Sequence, residues 1–280
     1  MSIKLIEIIK RIPFKIRHEY LESKYSKKFS SFKEAKDFCN NISKGYGNKD
    51  RLYCELELFQ SNIEIFSYKW GQQHKFLFEC ISSYLNHFKT FPRILDLGGG
   101  FGNCFFYLKN IFKNTEINYT VVEQEGIVEL SKNIDFKCKN SDSINFYESI
   151  DSAIKKNDYD LLFSSGTLQF LDNPYNTLDK INSSNFKMIG LTRVSFSYNT
   201  EYYSQMVYYK KPSNLKKNIF KDLPKNFYNN FVLCYPHTTI EEEKLLNHLK
   251  NFKIDFTNEG IEPGRFKGCY SKDILLIRNN

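Results

Sequence analysis

The chain has 280 residues, 41% hydrophobic and 16% aromatic, which is enough apolar side chain for a sizeable core in one large domain or a domain with an appendage. Its apolar runs, around Ile94 and Leu161, fall far short of the roughly 18 residues that a membrane span needs, so no span is expected. The formal charge of +8 comes from lysines spread along the whole sequence, which argues against a nucleic-acid partner; only Lys210 to Lys221 approaches a cluster, and it reads as a solvated loop or as an anion-binding face.

At the N-terminus, "MSIKLIEIIKRIPFKIR" places Ile3, Ile6 and Ile9 on one helical face with Lys4, Lys10, Arg11, Lys15 and Arg17 around it. Such a helix docks back on the protein or touches a membrane surface peripherally. Ser31 precedes Glu34 by the capping-box spacing and opens a helix with Phe32, Ala35, Phe38, Cys39 and Ile42 at helical intervals. "GNKDRLYCELELFQ" and "GQQHKFLFECISSYLNHF" read in the same way, so residues 1–90 are expected to be a helical N-terminal region.

From Pro92 the period changes. "RILDL" (93–97) is a buried strand followed by a glycine cluster, "CFFYLKNIF" (104–112) a helix and "NYTVVE" (118–123) a second strand. "GIVELSKN" is helical, "IDFKCK" (134–139) a weak third strand, "YDLLFSS" (159–165) a fourth, "NPYNTLDKI" a helix begun by Pro174, and "FKMIGLTRV" (186–194) a fifth strand. Strand and helix alternating at this spacing imply a parallel, doubly wound sheet. Residues 195–238, rich in Tyr, Lys and Asn, show little periodicity and read as an insertion or lid. "IEEEKLLNHLKNF" (240–252) is an amphipathic helix, and "FKIDFT" and "DILLIR", with no helix between them, form an antiparallel pair. Seven scattered cysteines lack a CxxC pair or metal-ligand spacing, no secretory h-region precedes them, and a cytoplasmic protein without a metal site is expected.

Four of the thirteen glycines, Gly98, Gly99, Gly100 and Gly102, crowd into five positions after the first strand, where backbone must turn sharply or let a ligand approach. A dinucleotide site needs G-x-G-x-x-G, with its third glycine where Asn103 stands here, so the spacing is wrong for NAD. D-x-G-x-G-x-G, beginning at Asp96, instead resembles the first motif of class I S-adenosylmethionine (SAM)-dependent methyltransferases. The resemblance implies that Asp96 orients a loop of Gly98, Gly99, Gly100, Gly102 and Asn103 around the amino-acid end of SAM. It also implies that Glu123, followed by Gln124, bonds the ribose, where one bidentate carboxylate meets two neighbouring hydroxyls. Asp142 in "KNSDSI" is a candidate for the adenine amine, or a plain turn residue. "YDLLFSSGTLQFLDNP" (159–174) resembles the family's fourth-strand motif and puts Ser164 and Ser165 against the cofactor. The implied fold is α/β, a Rossmann-like seven-stranded class I methyltransferase sheet, parallel with an antiparallel terminal strand, spanning residues 91–280 with the lid at 195–238.

A sulfonium methyl is already activated, so the protein mainly holds the nucleophile in line, adding a base where the acceptor is an alcohol. "WG" (70–71), "GTLQFL" (166–171), "LTR" (191–193), "SQMVYY" (204–209) and "YPH" (235–237) together resemble methyltransferases encoded among bacterial capsule and lipopolysaccharide biosynthesis genes. That resemblance implies a small acceptor and matches Arg193, Gln205 and Tyr235-Pro236, while His237 stands where the family varies; the candidate acceptor-binding residues are Trp70, His74, Gln169, Arg193, Gln205 and Tyr208, and the candidate catalytic ones Arg193, Tyr235 and His237. Arg193 suits a phosphate or carboxylate, and so a nucleotide-linked sugar or a phosphoramidate-type group, although a structural ion pair is its alternative. His237 and His74 are the candidate bases; Tyr202, Tyr203, Tyr208 and Tyr209 fold over the acceptor or form a small core of their own. Two other readings stand beside O-methylation of such an acceptor: an RNA methyltransferase, and a SAM-binding interaction protein that transfers nothing. A homodimer built on the N-terminal helices is also open.

Overall fold

The computed structural model describes residues 23–43, 47, 51–53, 55–57, 59–60, 71–134, 136, 142–209, 231–259 and 266–279. The amphipathic segment 1–17, Trp70 and the basic run 210–221 lie outside the described residues. In chain order the elements are β1 (Lys28–Phe29), α1 (Phe32–Ile42), α2 (Gln72–Phe88), β2 (Ile94–Leu97), α3 (Asn103–Ile111), β3 (Asn118–Val122), α4 (Glu125–Ser131), β4 (Ser143–Tyr147), α5 (Ile150–Ile154) and β5 (Leu161–Ser165). They continue with α6 (Pro174–Ser183), β6 (Met188–Ser197), β7 (Tyr202–Tyr209), β8 (Phe231–Thr238), β9 (Ile240–Glu241), α7 (Glu242–His248), β10 (Phe252–Glu259) and β11 (Tyr270–Arg278). They fall into two units, residues 1–51 with 201–238 and residues 52–200 with 239–280.

The larger unit is built on a sheet of order β10-β11-β6-β5-β2-β3-β4, with β9 beside β6. Strands β4, β3, β2, β5 and β6 are parallel, while β11 runs antiparallel to both β6 and β10. This is the expected seven-strand path with its antiparallel terminal strand; β9 adds one short parallel bridge. Successive residues of the central strands are buried against opposite faces, as a parallel sheet covered by helices on both sides requires. Leu161 and Phe163 of β5 pack with Phe76, Leu77, Cys80 and Ile81 of α2 and Phe105 and Leu108 of α3. Leu162 faces the other cluster, with Leu178 and Ile181 of α6 and Leu245 of α7.

Two expectations for this unit need correction. Of the third strand expected at 134–139 only Ile134 and Phe136 are described, and they lie in no strand; the strand paired with β3 is Ser143–Tyr147. The helix expected over 240–252 is shorter, because Ile240 and Glu241 pair with Phe196 and Ser197 before the helix begins.

The smaller unit holds a three-stranded sheet of order β1-β7-β8. The segment read as an unpatterned lid therefore contains two antiparallel strands, Tyr202 pairing with Thr238 and Gln205 with Tyr235. Their aromatic and polar residues do not show the alternation expected of a strand with one wet face. Helix α1 starts where Ser31 accepts the Glu34 N–H at 3.2 Å, while the Glu34 carboxylate reaches back to the Ser30 N–H and hydroxyl. It packs on β8 through Cys39, whose Sγ lies 3.2 Å from that of Cys234. Among the described residues, no helix is long and apolar enough to cross a membrane.

Candidate active site

The five residues after β2 turn on three left-handed glycines, Gly98 (φ 79°), Gly100 (φ 58°) and Gly102 (φ 86°). A side chain is excluded at most of this turn for more than one reason. A Cβ on Gly98 would overlap Thr167, one on Gly99 the Asp96 carboxylate, and one on Gly102 would sit 2.5 Å from Ile144 Cδ1. Gly100 differs: among the described residues a Cβ there meets nothing within 4 Å, so beyond its φ the described turn is open at this residue. The Gly98 N–H donates to Val122 O at 2.8 Å and the Glu123 N–H to Tyr147 O at 3.0 Å. The ends of β2, β3 and β4 are thereby aligned along one edge of the sheet, the carboxyl edge on which open parallel sheets bind ligands.

Asp96 is buried beneath the turn and accepts the Tyr119 hydroxyl at 2.6 Å. Burial pushes its carboxyl up, the Tyr119 hydrogen bond opposes this, and the nearby Glu123 adds to the rise, leaving it at about 7. Glu123 is half-buried at the end of β3, and its Oε2 accepts the N–H of Gln124, the residue that caps α4. Asp142 does not belong to this group. Its carboxylate pairs with Lys109 and accepts the Ile117 N–H at 3.0 Å, just before β3 and β4 begin, at the opposite edge of the sheet from the glycine turn. The loop that does leave β4 at the carboxyl edge runs through Tyr147, Glu148 and Ser149, where Ser149 caps α5.

At the end of β5, Ser164 donates to Leu97 O at 3.0 Å, holding β5 against β2. Among the described residues, Ser165 Oγ is buried with no hydrogen-bond partner, as are Asn103 Oδ1 at the start of α3 and Gln169 Oε1 in the short turn after β5. Buried polar oxygens left unpaired are uncommon and call for a partner. The Gln169 amide donates from Nε2 to Arg193 O at 3.2 Å. Arg193 itself lies inside β6 at φ 57°, a left-handed conformation that an arginine adopts only under constraint. Parallel pairing of β5 with β6 ends at Thr192, so Arg193 stands at the carboxyl edge although its strand continues to Ser197.

Three groups that the sequence did not single out hold this point, Thr192 and Asp273 buried and Gln72 half-buried. Thr192 Oγ1 donates to Asp273 Oδ1 at 2.6 Å, and Gln72 Nε2 donates to both Asp273 oxygens at 3.1 and 3.3 Å. His74, one turn into α2 and stacked on Tyr107 at 4.7 Å between ring centroids, accepts the Gly71 N–H at Nδ1. Its ring proton therefore sits on Nε2.

In the smaller unit, His237 is buried and its Nδ1–H donates to Gln205 Oε1 at 2.8 Å, which leaves the lone pair on Nε2. Tyr235 is buried on the same strand, opposite Gln205. The backbone of Tyr208 lies in β7, opposite Val232.

No protein-family model matches the chain, and no curated protein matches it. Solved structures do. An S-adenosylmethionine-dependent methyltransferase from Clostridium acetobutylicum ATCC 824 is similar at 13% identity, over 81% of this chain and 99% of that one, with a TM-score of 0.50. Magnesium protoporphyrin IX methyltransferase from Synechocystis PCC 6803, solved with bound SAM, matches at 12% identity, 76% and 88% coverage and a TM-score of 0.43. The CcbJ methyltransferase from Streptomyces caelestis matches at 10% identity, 78% and 96% coverage and a TM-score of 0.46. The first of these likenesses establishes the fold: the larger unit is an α/β, Rossmann-like sheet of the class I methyltransferase type.

Proposed function

We propose that this chain is a SAM-dependent methyltransferase that methylates an oxygen of a small anionic acceptor. The observation that carries the reading is the glycine turn, open at Gly100 and aligned through Gly98 and Val122 with the Glu123 carboxylate. The residues present suit SAM: a cradle with room at Gly100, an acidic strand end for two ribose hydroxyls, and unpaired buried oxygens on Asn103 and Ser165 that favour a polar ligand. Asp96 supports the turn from below, and Gly98, Gly99 and Gly102 keep it tight. When bound, SAM supplies an activated methyl group on a sulfonium.

The chain's own part is then to place an acceptor and take up its proton. Arg193 and Gln169 are the groups proposed to hold the acceptor, and a guanidinium there selects a phosphate or carboxylate. Of the two candidate bases, each taken within its own unit, His74 carries its proton on Nε2 and is a donor there, whereas Gln205 fixes the His237 proton on Nδ1, so by tautomer His237 is the better proton acceptor. Placing the reaction in bacterial surface-polysaccharide synthesis rests on the sequence resemblance at 70–71, 166–171, 191–193, 204–209 and 235–237.

The test is calorimetry with S-adenosylhomocysteine, followed by methyl transfer from labelled SAM to nucleotide sugars and phosphoramidates. Micromolar binding is expected, weakened about tenfold to a hundredfold in Glu123→Ala by loss of charge-assisted bonds. Absence of binding, or a Glu123→Ala chain that binds as well as the original, overturns the reading.

A further inference from the structure

Between Leu191, paired with Ile274, and Val194, paired with Lys272, strand β6 has two residues where β11 has one. Thr192 and Arg193 are those two, and Asp273 is the one opposite them. This is a β-bulge, the device by which a strand re-aims a side chain at a sheet edge. Its details are unusual in two respects. The bulged arginine is left-handed, and the residue opposite is a buried carboxylate that accepts from Thr192 and twice from Gln72.

A left-handed non-glycine residue costs free energy and persists only where its surroundings over-determine it. Here they do so from several sides. The Thr192 carbonyl accepts the Gly166 N–H at 2.9 Å, the Arg193 carbonyl accepts from Gln169 at 3.2 Å, and the Thr192 side chain is tied to Asp273. Gly166, itself left-handed at φ 66°, lies so close that a Cβ on it would be 3.6 Å from Arg193 Cβ. Arg193 therefore stands where the pairing of β5 with β6 ends, next to Gly166 and Gln169, and the buried oxygens of Gln169 and of Ser165 at the end of β5 lack a partner among the described residues. A glycine at 193 would satisfy this backbone with less strain; the chain carries a guanidinium there instead.

We propose that Asp273 is a positioning residue which, through Thr192 and with Gln72 behind it, holds the bulge that presents the Arg193 guanidinium to an oxyanion of the acceptor. This rests on the methyltransferase reading and adds to it the element that selects the acceptor's charge. Gln72, Thr192, Arg193 and Asp273 come from a helix start, one strand and its neighbour, so the arrangement is rigid before any ligand arrives.

The test is thermal unfolding of the full chain in chloride, in inorganic phosphate and in acetate at matched ionic strength, run beside calorimetry with S-adenosylhomocysteine. The unaltered chain is expected to unfold at a higher temperature in phosphate than in chloride, because a folded-state site is filled. A shift in acetate of the same size or larger would mark the acceptor's group as a carboxylate, and a shift in phosphate alone as a phosphate. Arg193→Gly and Asp273→Ala should lose the shift while S-adenosylhomocysteine affinity stays unchanged. Asp273→Asn, which keeps an acceptor for the Thr192 hydroxyl, should retain part of it. Thr192→Val, close in volume, cuts the same link and serves if Asp273→Ala does not fold. In chloride, Arg193→Gly should unfold above Arg193→Ala, since only glycine is at ease at this φ.

No anion shift in the unaltered chain overturns the proposal. A shift abolished in Arg193→Gly but intact in Asp273→Ala and Thr192→Val overturns the positioning role. Loss of S-adenosylhomocysteine affinity in Thr192→Val would assign the bulge to the cofactor and overturn it as well. Failure of the unaltered chain to bind S-adenosylhomocysteine counts against the methyltransferase reading, and the anion arms report independently of it.

Discussion

The Tyr119 hydroxyl donates to Asp96 Oδ2 across 2.6 Å, joining two adjacent parallel strands beneath the glycine turn in a setting closed to water. Burial, opposed by this bond and reinforced by Glu123, lifts the Asp96 carboxyl from an ordinary 3.8 to about 7. Between those values the folded chain holds a proton that the unfolded chain has released. Stability therefore falls as pH rises from about 4 through about 7 and levels off above that, with a contribution on the order of a few kcal/mol. Asp96→Asn cannot ionise and still accepts from Tyr119, so its denaturant midpoint should decline less than the original's between about pH 5 and about pH 8. Identical pH profiles for the two chains would show that Asp96 is ionised at neutrality.

Asp160 shows the opposite sign. Burial raises its carboxyl, but Arg93, through its side chain and its backbone N–H, and Lys187 outweigh this and bring it from 3.8 to about 2. The stability so gained is present above 3.8 and is lost as pH falls through 2. Lys187→Met removes one of the compensating cations, so acid unfolding, followed by circular dichroism, should move to higher pH. An acid midpoint that stays in place would mean that Arg93 alone sets the Asp160 carboxyl.

Gly190 in the middle of β6 is where α2 approaches the sheet: a Cβ there would lie 2.6 Å from Cys80 Sγ and 3.4 Å from Phe163 Cδ2. Cys80 and Phe163 are fully buried and have little freedom to retreat. Gly190→Ala should destabilise by about 1–3 kcal/mol through overpacking. Cys80→Ala vacates that space, so the double substitution should cost less than the sum of the singles, by about 0.5 kcal/mol or more in a double-mutant cycle read from urea unfolding. Additive costs would place the two residues out of contact.

The parts of this fold legible in the sequence are those whose residues carry their own instruction. "RILDL" is apolar without a break because β2 is covered on both faces, and the glycines after it are required by left-handed backbone and close neighbours at Gly98 and Gly102. The terminal antiparallel pair was legible because no helix fits between its strands. Strand β4 is not legible: "SINFY" is a half-exposed edge strand with weak alternation, and the alternating run lies upstream, in "IDFKCK". That shift also explains Asp142, which stands at the start of the true strand and not at its end. The charge of Arg193 is legible, but its left-handed φ and its tie to Asp273 leave no local trace, since they arise from a register shift between strands some 80 residues apart.

Gly98 and Gly100 have similar left-handed backbones but different surroundings, so the same substitution should separate folding from binding. A methyl at Gly98 overlaps the Thr167 side chain, whereas one at Gly100 meets no atom of the described residues within 4 Å. Gly100→Ala therefore carries mainly the backbone cost of a left-handed alanine, about 1–2 kcal/mol, or a Tm lower by roughly 2–8 °C. Gly98→Ala adds a steric clash to that cost and should unfold well below it. If the space beside Gly100 is where SAM lies, Gly100→Ala should nevertheless weaken S-adenosylhomocysteine at least about tenfold, measured by calorimetry at a temperature where the chain is fully folded. Full affinity in a folded Gly100→Ala chain would place the nucleoside away from the turn, and with it would go the assignment of Asp96 and Gly98 to the cofactor.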